Sequence, residues 1–146
     1  MEYKVYIVED DLSISNLLKD YIKKYGFAVK IVENFDNIME EFNLFNPDLV
    51  LMDVNLPKFD GFYWCRRIRE ISIVPIIFIS ARESGMDQVM ALENGADDYI
   101  TKPFSFEVVL AKIKSHIRRA FGNYSINNDE RVVELDDLKF YPERLK

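Results

Sequence analysis

The chain has 146 residues, one ordinary domain plus a remainder, since single domains most often run about 100–150 residues. At 49% hydrophobic and 30% charged, with only five Gly and five Pro, its composition excludes disorder and collagen-like repetition. A net charge of −6, from 19 basic and 25 acidic residues, excludes a nucleic-acid binder held by overall charge.

Along the chain, short apolar runs alternate with longer amphipathic stretches. Val5-Tyr6-Ile7-Val8 predicts a first strand, and Leu12, Leu17, Leu18, Tyr21 and Ile22 then recur at helical spacing up to Gly26, a natural helix stop. Phe27 to Val32 reads as a second strand and Ile38 to Phe45 as a second helix, broken by Asn46-Pro47-Asp48. Leu49-Val50-Leu51-Met52 is a third strand, followed by a loop with Pro57 and Gly61. Helical spacing resumes through Tyr63, Ile68 and Ile71, and Ile76-Ile77-Phe78-Ile79 is a fourth strand. A helix through Val89 and Leu92 stops near Gly95, Asp98-Tyr99-Ile100 is a short fifth strand, and Val108 to Ile117 is the last helix. Arg118 and Arg119 then stand in its final turn, where the helix dipole favours cations.

Five strand–helix units, with strands too apolar to face water, predict an α/β fold: a doubly wound, five-stranded parallel sheet covered by helices on both faces. Residues 121–146 break that rhythm. Residues 121–130 read as a linker, and 131–146, with two short apolar runs around Asp136-Asp137, as the start of a second domain. No apolar run approaches the ~18 residues of a membrane span, and no signal-peptide pattern opens the chain. The single cysteine, Cys65, excludes an intrachain disulfide framework. The expectation is a cytoplasmic protein without membrane insertion.

In such a sheet, ligands gather at the carboxyl ends of the strands, where strand order reverses. In the flavodoxin-like order 2-1-3-4-5, the first and third strands flank that point, and both end in acid here. Glu9, Asp10 and Asp11 follow the first run, Asp53 and Asn55 the third, Ser80 and Ala81 the fourth, and Thr101, Lys102 and Pro103 the fifth. Carboxylates brought together repel one another unless a cation intervenes. Clustered hard oxygens favour Mg²⁺, with Mn²⁺ as the alternative ion. An aspartate beside Mg²⁺ and a lysine ammonium can attack phosphorus, because the cations neutralise the equatorial oxygens. Each signal has an ordinary reading too. Asp10 or Asp11 could cap the first helix, Asp53 and Ser80 could be turn residues, and Lys102 a solvated charge. Their placement at four successive strand ends carries the argument.

These residues resemble the receiver domain of bacterial two-component response regulators. Val8-Glu9-Asp10-Asp11 is similar to its acidic pair. Leu51-Met52-Asp53-Val54-Asn55-Leu56-Pro57 with Asp60-Gly61 is similar to its phosphorylation strand and loop. Ser80-Ala81 resembles its hydroxyl switch, and Gly95-Ala96-Asp97-Asp98-Tyr99-Ile100-Thr101-Lys102-Pro103-Phe104 its last signature. The likeness covers residues 1–120, in the expected order. It implies that Asp53 accepts a phosphoryl group from a sensor histidine kinase, and that Asp10, Asp53 and the Asn55 carbonyl hold Mg²⁺, with Glu9 acting through water. It further implies that Lys102, before a cis bond to Pro103, pairs with the phosphoryl oxygens beside Ser80 and Ala81. Ser80 and Tyr99 would then be the moving switch.

Asp136-Asp137-Leu138 through Pro142-Glu143-Arg144 resembles the opening of the winged-helix domain in the OmpR/PhoB class, which implies promoter DNA as a partner of a longer protein. Leu56 to Arg66 is most similar to regulators of the bacitracin-response type, which answer antimicrobial peptides. Members of the class form homodimers through the fourth helix, fifth strand and fifth helix. Here Gln88 and Met90 replace the usual basic residues, while Asp97, Asp98, Glu107 and Arg118 remain. Exposed ion pairs contribute only ~0–1 kcal/mol each, so their loss need not abolish the dimer, and Met90 points to a more apolar contact. Cys65 and the aromatics Phe59, Phe62, Tyr63 and Trp64 read mainly as packing residues, and His116 as a surface residue. Two alternatives to a phosphorylated switch are a haloacid-dehalogenase-like phosphatase and a receiver-like module that ignores phosphate. The first wants an acid two residues after the nucleophile, where Asn55 stands and cannot transfer a proton. Intact Asp10, Asp53 and Lys102 argue against the second.

Overall fold

The structure, a computed structural model, describes residues 2–122. The elements run β1 (Lys4–Val8), α1 (Leu12–Lys23), β2 (Ala28–Ile31), α2 (Ile38–Phe45), β3 (Leu49–Met52), α3 (Gly61–Arg69), β4 (Ile76–Ser80), α4 (Gly85–Glu93), β5 (Asp98–Thr101) and α5 (Phe106–Phe121). All strand pairs are parallel, in the order β2-β1-β3-β4-β5. This is the flavodoxin-like (βα)5 arrangement expected from the alternation of runs. Met1–Leu110 form one compact unit. The expected linker beyond Gly122 and the expected winged-helix start at 131–146 lie outside the described residues.

Side chains alternate across a strand, and the sheet uses both faces. Tyr6, Val8, Val50, Met52, Ile76 and Phe78 point to one face and join a core with Ile38 and Phe42 of α2, Phe62, Trp64, Cys65 and Ile68 of α3, and Ala91 of α4. Val5, Ile7, Leu49, Leu51, Ile77 and Ile79 are equally buried on the other face, and Leu18 and Ile22 are the buried apolar positions of α1. One departure from expectation is confined to the edges. Every residue of β3 and β4 is buried, whereas β2 is half-buried throughout and β5 buries only Ile100. An edge strand has a neighbour on one side only, so the rule that parallel strands are covered on both faces weakens there.

Register decides what meets at the rim. Val8 pairs with Met52 across β1 and β3, so Glu9 and Asp53 leave the sheet side by side. Ser80 pairs with Thr101 across β4 and β5, which sets Lys102 beside the end of β4. Gly61 opens α3 directly beneath Asp53. A Cβ there would stand 2.1 Å from the Asp53 carbonyl oxygen and 2.8 Å from the Phe78 ring, so only glycine admits this close approach.

Candidate functional site

At the end of β1 the chain separates its three acids. Glu9 turns inward and is 1% exposed, Asp10 faces solvent, and Asp11 caps α1 by accepting from the amides of Ser13 and Ile14. The cap reading therefore holds for Asp11. The Glu9 Oε2 atom accepts the Asp11 amide at 3.0 Å. Asp53 is 4% exposed. Its amide donates to the Val8 carbonyl at 2.9 Å, prolonging the sheet by one bond, and its Oδ1 accepts the Val54 amide at 2.7 Å. From β5, the Lys102 amide donates to the Ser80 carbonyl at 2.8 Å, and the peptide bond to Pro103 is cis. The Lys102 Nζ reaches Glu9 Oε1 at 2.7 Å and Asp53 Oδ2 at 3.1 Å. Residues 93 and 49 positions apart in sequence from the lysine thus share one ammonium.

The electrostatics follow from that burial. Desolvation raises the Glu9 carboxyl above the usual carboxylate range, and the charge of Asp53 adds to it. The hydrogen bonds from Lys102 and the Asp11 amide offset only part of that effect. For Lys102, burial works against the charged form, but its bonds to Glu9 and Asp53 outweigh burial and raise its pKa. One ammonium faces three carboxylates, because oxygens of Glu9, Asp10 and Asp53 lie within 4.8 Å of one another. This set of hard oxygen donors, with excess negative charge, fits a divalent cation of the Mg²⁺ kind.

The remaining rim residues form a second group. Ser80 is fully buried, and its Oγ accepts the Arg82 amide at 3.1 Å; Ala81 is exposed. Tyr99 lies against Phe78, with ring centroids 6.1 Å apart, and its hydroxyl donates to the Arg82 carbonyl at 2.7 Å. Burial raises its pKa. The Asn55 side chain is exposed and accepts from Arg82 Nε and Nη2 at 3.0 and 2.8 Å. Sequence reading passed over Arg82. Its only sequence signal is a position two residues beyond a buried strand end.

The expected dimer-face residues stand on or beside α4, β5 and α5. Gln88 and Met90 are exposed on α4. Asp97 is engaged within its own chain, its Oδ2 accepting from Arg69 Nη2 at 2.8 Å and the Ile76 amide at 2.9 Å. Asp98 accepts the Tyr99 amide, Glu107 accepts the Ser105 hydroxyl at 3.1 Å, and Arg118 stands in the last turn of α5. Cys65 is fully buried, its thiol donating to the Asn94 carbonyl at 3.2 Å. Phe62 and Trp64 are core residues, Tyr63 packs against the core, and Phe59 stacks on Tyr63 at 4.1 Å. His116 is half-buried on α5 rather than fully at the surface. No described helix is long and apolar enough to cross a membrane.

Comparison with known proteins agrees with this geometry. Residues 5–114 match the response regulator receiver domain family. The uncharacterized transcriptional regulatory protein YvcP of Bacillus subtilis is 57% identical over 144 residues, 97% of this chain and 61% of that protein. The chain therefore spans about three fifths of the length of that relative. Among solved structures, the N-terminal domain of the nisin resistance regulator NsrR, a lantibiotic response regulator, is 47% identical. Its TM-score is 0.75, over 81% of this chain and all of that one. DrrB, an OmpR/PhoB homologue from Thermotoga maritima, is 29% identical with a TM-score of 0.74, over 82% of this chain and 54% of that one. The chain belongs to the response regulator receiver domain family.

Proposed function

We propose that this chain is a phosphorylation-activated switch in which Asp53 accepts a phosphoryl group from the phosphohistidine of a sensor kinase. The carrying observation is the Lys102 ammonium at 2.7 Å from Glu9 and 3.1 Å from Asp53, with Asp10 in the same cluster. In the transfer, an Asp53 carboxylate oxygen forms the new O–P bond as the P–N bond of the donor breaks. Bound Mg²⁺ would neutralise phosphoryl oxygens. Asp10, Asp53 and the Asn55 carbonyl would hold the ion, with Glu9 acting through water. Lys102 then meets the phosphoryl oxygens, while Ser80 and the Ala81 backbone supply hydrogen bonds to them. Ser80 turns toward the new group, and Tyr99 follows into the space it leaves.

The output we infer is transcriptional, because YvcP is named as a transcriptional regulatory protein and DrrB as an OmpR/PhoB homologue. In that reading, residues 1–120 are the receiver, 121–130 a linker and 131–146 the opening of a winged-helix reader of promoter DNA. Phosphorylation would pair two receivers through α4, β5 and α5. The nisin resistance role in the name of NsrR supports antimicrobial-peptide resistance as the process served. A cytoplasmic location and no turnover chemistry beyond self-phosphorylation and self-dephosphorylation complete the proposal.

Intact-mass measurement after acetyl phosphate and Mg²⁺ tests it. Wild type should gain one phosphoryl group and Asp53→Asn none, and equal labelling of both would remove Asp53 as acceptor. Light scattering on the labelled chain should show a larger dimer fraction than on the unlabelled one.

A further inference from the structure

Two neighbouring loops leave the carboxyl rim of the sheet, residues 32–37 after β2 and 53–60 after β3, and one pair of side chains joins them. The Lys58 ammonium meets the Asp36 Oδ1 atom at 2.5 Å. Lys58 stands at φ 68°, in the left-handed region that a lysine rarely enters. The first loop has a firm base. Glu41 of α2 accepts the amides of Glu33 at 3.2 Å and Asn34 at 2.9 Å, and also the buried Tyr6 hydroxyl at 2.8 Å. Asn34 Oδ1 in turn accepts the Asp36 amide at 2.8 Å. Asp36 therefore sits on a turn anchored to both α2 and β1. In the second loop, the Gly61 amide closes on the Val54 carbonyl at 2.8 Å, Leu56 packs on the core, and Phe59 stacks on Tyr63. Lys58 ties that loop outward to its neighbour.

We propose that Lys58 is a positioning residue: with Asp36 it straps the loop after β3 to the anchored turn after β2, and so fixes the direction of the Asn55 carbonyl toward a divalent cation. This rests on the reading of Asp10, Asp53 and the Asn55 carbonyl as the groups that hold the ion. Mg²⁺ demands near-ideal octahedral geometry, and a backbone carbonyl has no rotamers, so the loop alone aims it. Groups that orient a ligand in this way tune the affinity of the site. Glycine would enter the left-handed region at less cost; what lysine adds at position 58 is the ammonium. Both partners are more than half exposed, so the strap carries the modest weight of a surface ion pair.

The sign of the charges separates the strap from a general field effect. By field alone, removing the Lys58 cation should tighten Mg²⁺ binding and removing Asp36 should weaken it. The strap requires both removals to weaken it. Mg²⁺ titrations of the whole chain, followed through the ¹⁵N-amide signals of Val54 and Asn55, should show about two- to fourfold weaker binding in Lys58→Ala and in Asp36→Ala than in wild type. Lys58→Arg should bind as wild type does. Lys58→Asp should bind more weakly although it adds a negative charge, and combining it with Asp36→Lys should restore affinity toward wild type. Lys58→Ala binding Mg²⁺ as tightly as wild type or tighter would overturn the proposal, as would a charge swap no better than Lys58→Asp alone. Wild-type signals of Val54 and Asn55 that ignore Mg²⁺ would instead overturn the cation reading, and this inference with it.

Discussion

The helices α3 and α4 are each nine residues long, each opens with glycine, and each is capped by the preceding side chain, Asp60 or Ser84. Their packing differs sharply. α3 buries Gly61, Phe62, Trp64, Cys65 and Ile68, while α4 buries Ala91 alone and exposes Met86, Val89, Met90 and Leu92. What holds α4 is polar and sits at its ends. Asp87 meets Arg82 at the start, and beyond the last turn Asn94 accepts from Cys65 and from Arg66. The helix beneath Asp53 is thus locked by burial, and the helix beyond Ser80 is held by ties that exchange readily with water. An element with few buried apolar contacts opens at low free energy. A bistable switch needs that property on one side of the site and rigidity on the other.

The largest effect should come from emptying the core positions of the two helices. Ile68 is fully buried, so Ile68→Ala should lower unfolding stability by about 2–5 kcal/mol through lost transfer and a residual cavity. Leu92 is 57% exposed, and Leu92→Ala should stay within about 0.5 kcal/mol of wild type. Denaturant unfolding of both variants measures the contrast directly. Equal losses would mean that α4 is packed as α3 is.

The opening glycines give the next contrast. Ala at position 61 would drive its methyl into the Asp53 carbonyl and the Phe78 ring, and Gly61→Ala should cost about 1–3 kcal/mol as the backbone shifts. It should also disturb the site, because the displaced atoms belong to Asp53 itself. A Cβ at Gly85 would meet nothing within 4 Å. Gly85→Ala should therefore be neutral or stabilise by about 0.5 kcal/mol, through helix propensity and a less free unfolded chain.

The same contrast explains what the sequence disclosed. Where periodicity and a breaker coincide, the reading lands to the residue, as for α2 before Asn46-Pro47-Asp48 and for the fully apolar β3. At the margin it drifts. β2 is shorter than Phe27 to Val32, whose end residues are apolar because they are buried, Val32 still placing its amide on the Ile7 carbonyl. α5 runs beyond Val108 to Ile117 at both ends, where Glu107, Arg118 and Arg119 interrupt the apolar period. The carboxylates and Lys102 were legible because each ends an apolar run and parallel register brings run ends together. Arg82 was not. It is an exposed cation in a loop, and its partner Asn55 lies 27 residues away, at no period that a strand or helix imposes. Nor did spacing reveal that Asp97 is engaged by Arg69, a residue of α3.

Cys65 joins the two helices and offers a pH test. Burial pushes its thiol up to about 11 from an ordinary value of 9.0, and Asp97 adds to this against the opposing pull of Arg69 and Arg66. The folded state therefore favours the neutral thiol. Its contribution is fully present below pH 9 and is lost as pH rises through about 11. Other groups titrate in that range too, so the measurement is the unfolding free energy of wild type minus that of Cys65→Ala. That difference should fall by about 1 kcal/mol between pH 8 and pH 10. A flat difference would mean that the thiol is less enclosed than its place between α3 and Asn94 implies.

The smallest change in global stability should come from the cap of α4, and its contrast with the cap of α3 separates the helices most cleanly. Ser84 accepts the Asp87 amide at 3.1 Å, and Asp60 accepts the Tyr63 amide at 3.0 Å, so each alanine variant removes about 1 kcal/mol from its own helix. In α3 that loss cannot be expressed locally, because fraying the first turn would expose Phe62 and Trp64. Asp60→Ala should therefore lower global stability and quicken amide exchange throughout the core. In α4 the first turn exposes Met86 already, so the turn can open alone. Ser84→Ala should leave global unfolding nearly unchanged while amide exchange in α4 quickens about fivefold. Exchange that quickens equally in α3 and α4 in that variant would show the two helices opening as one unit, leaving the switch without an independent moving part.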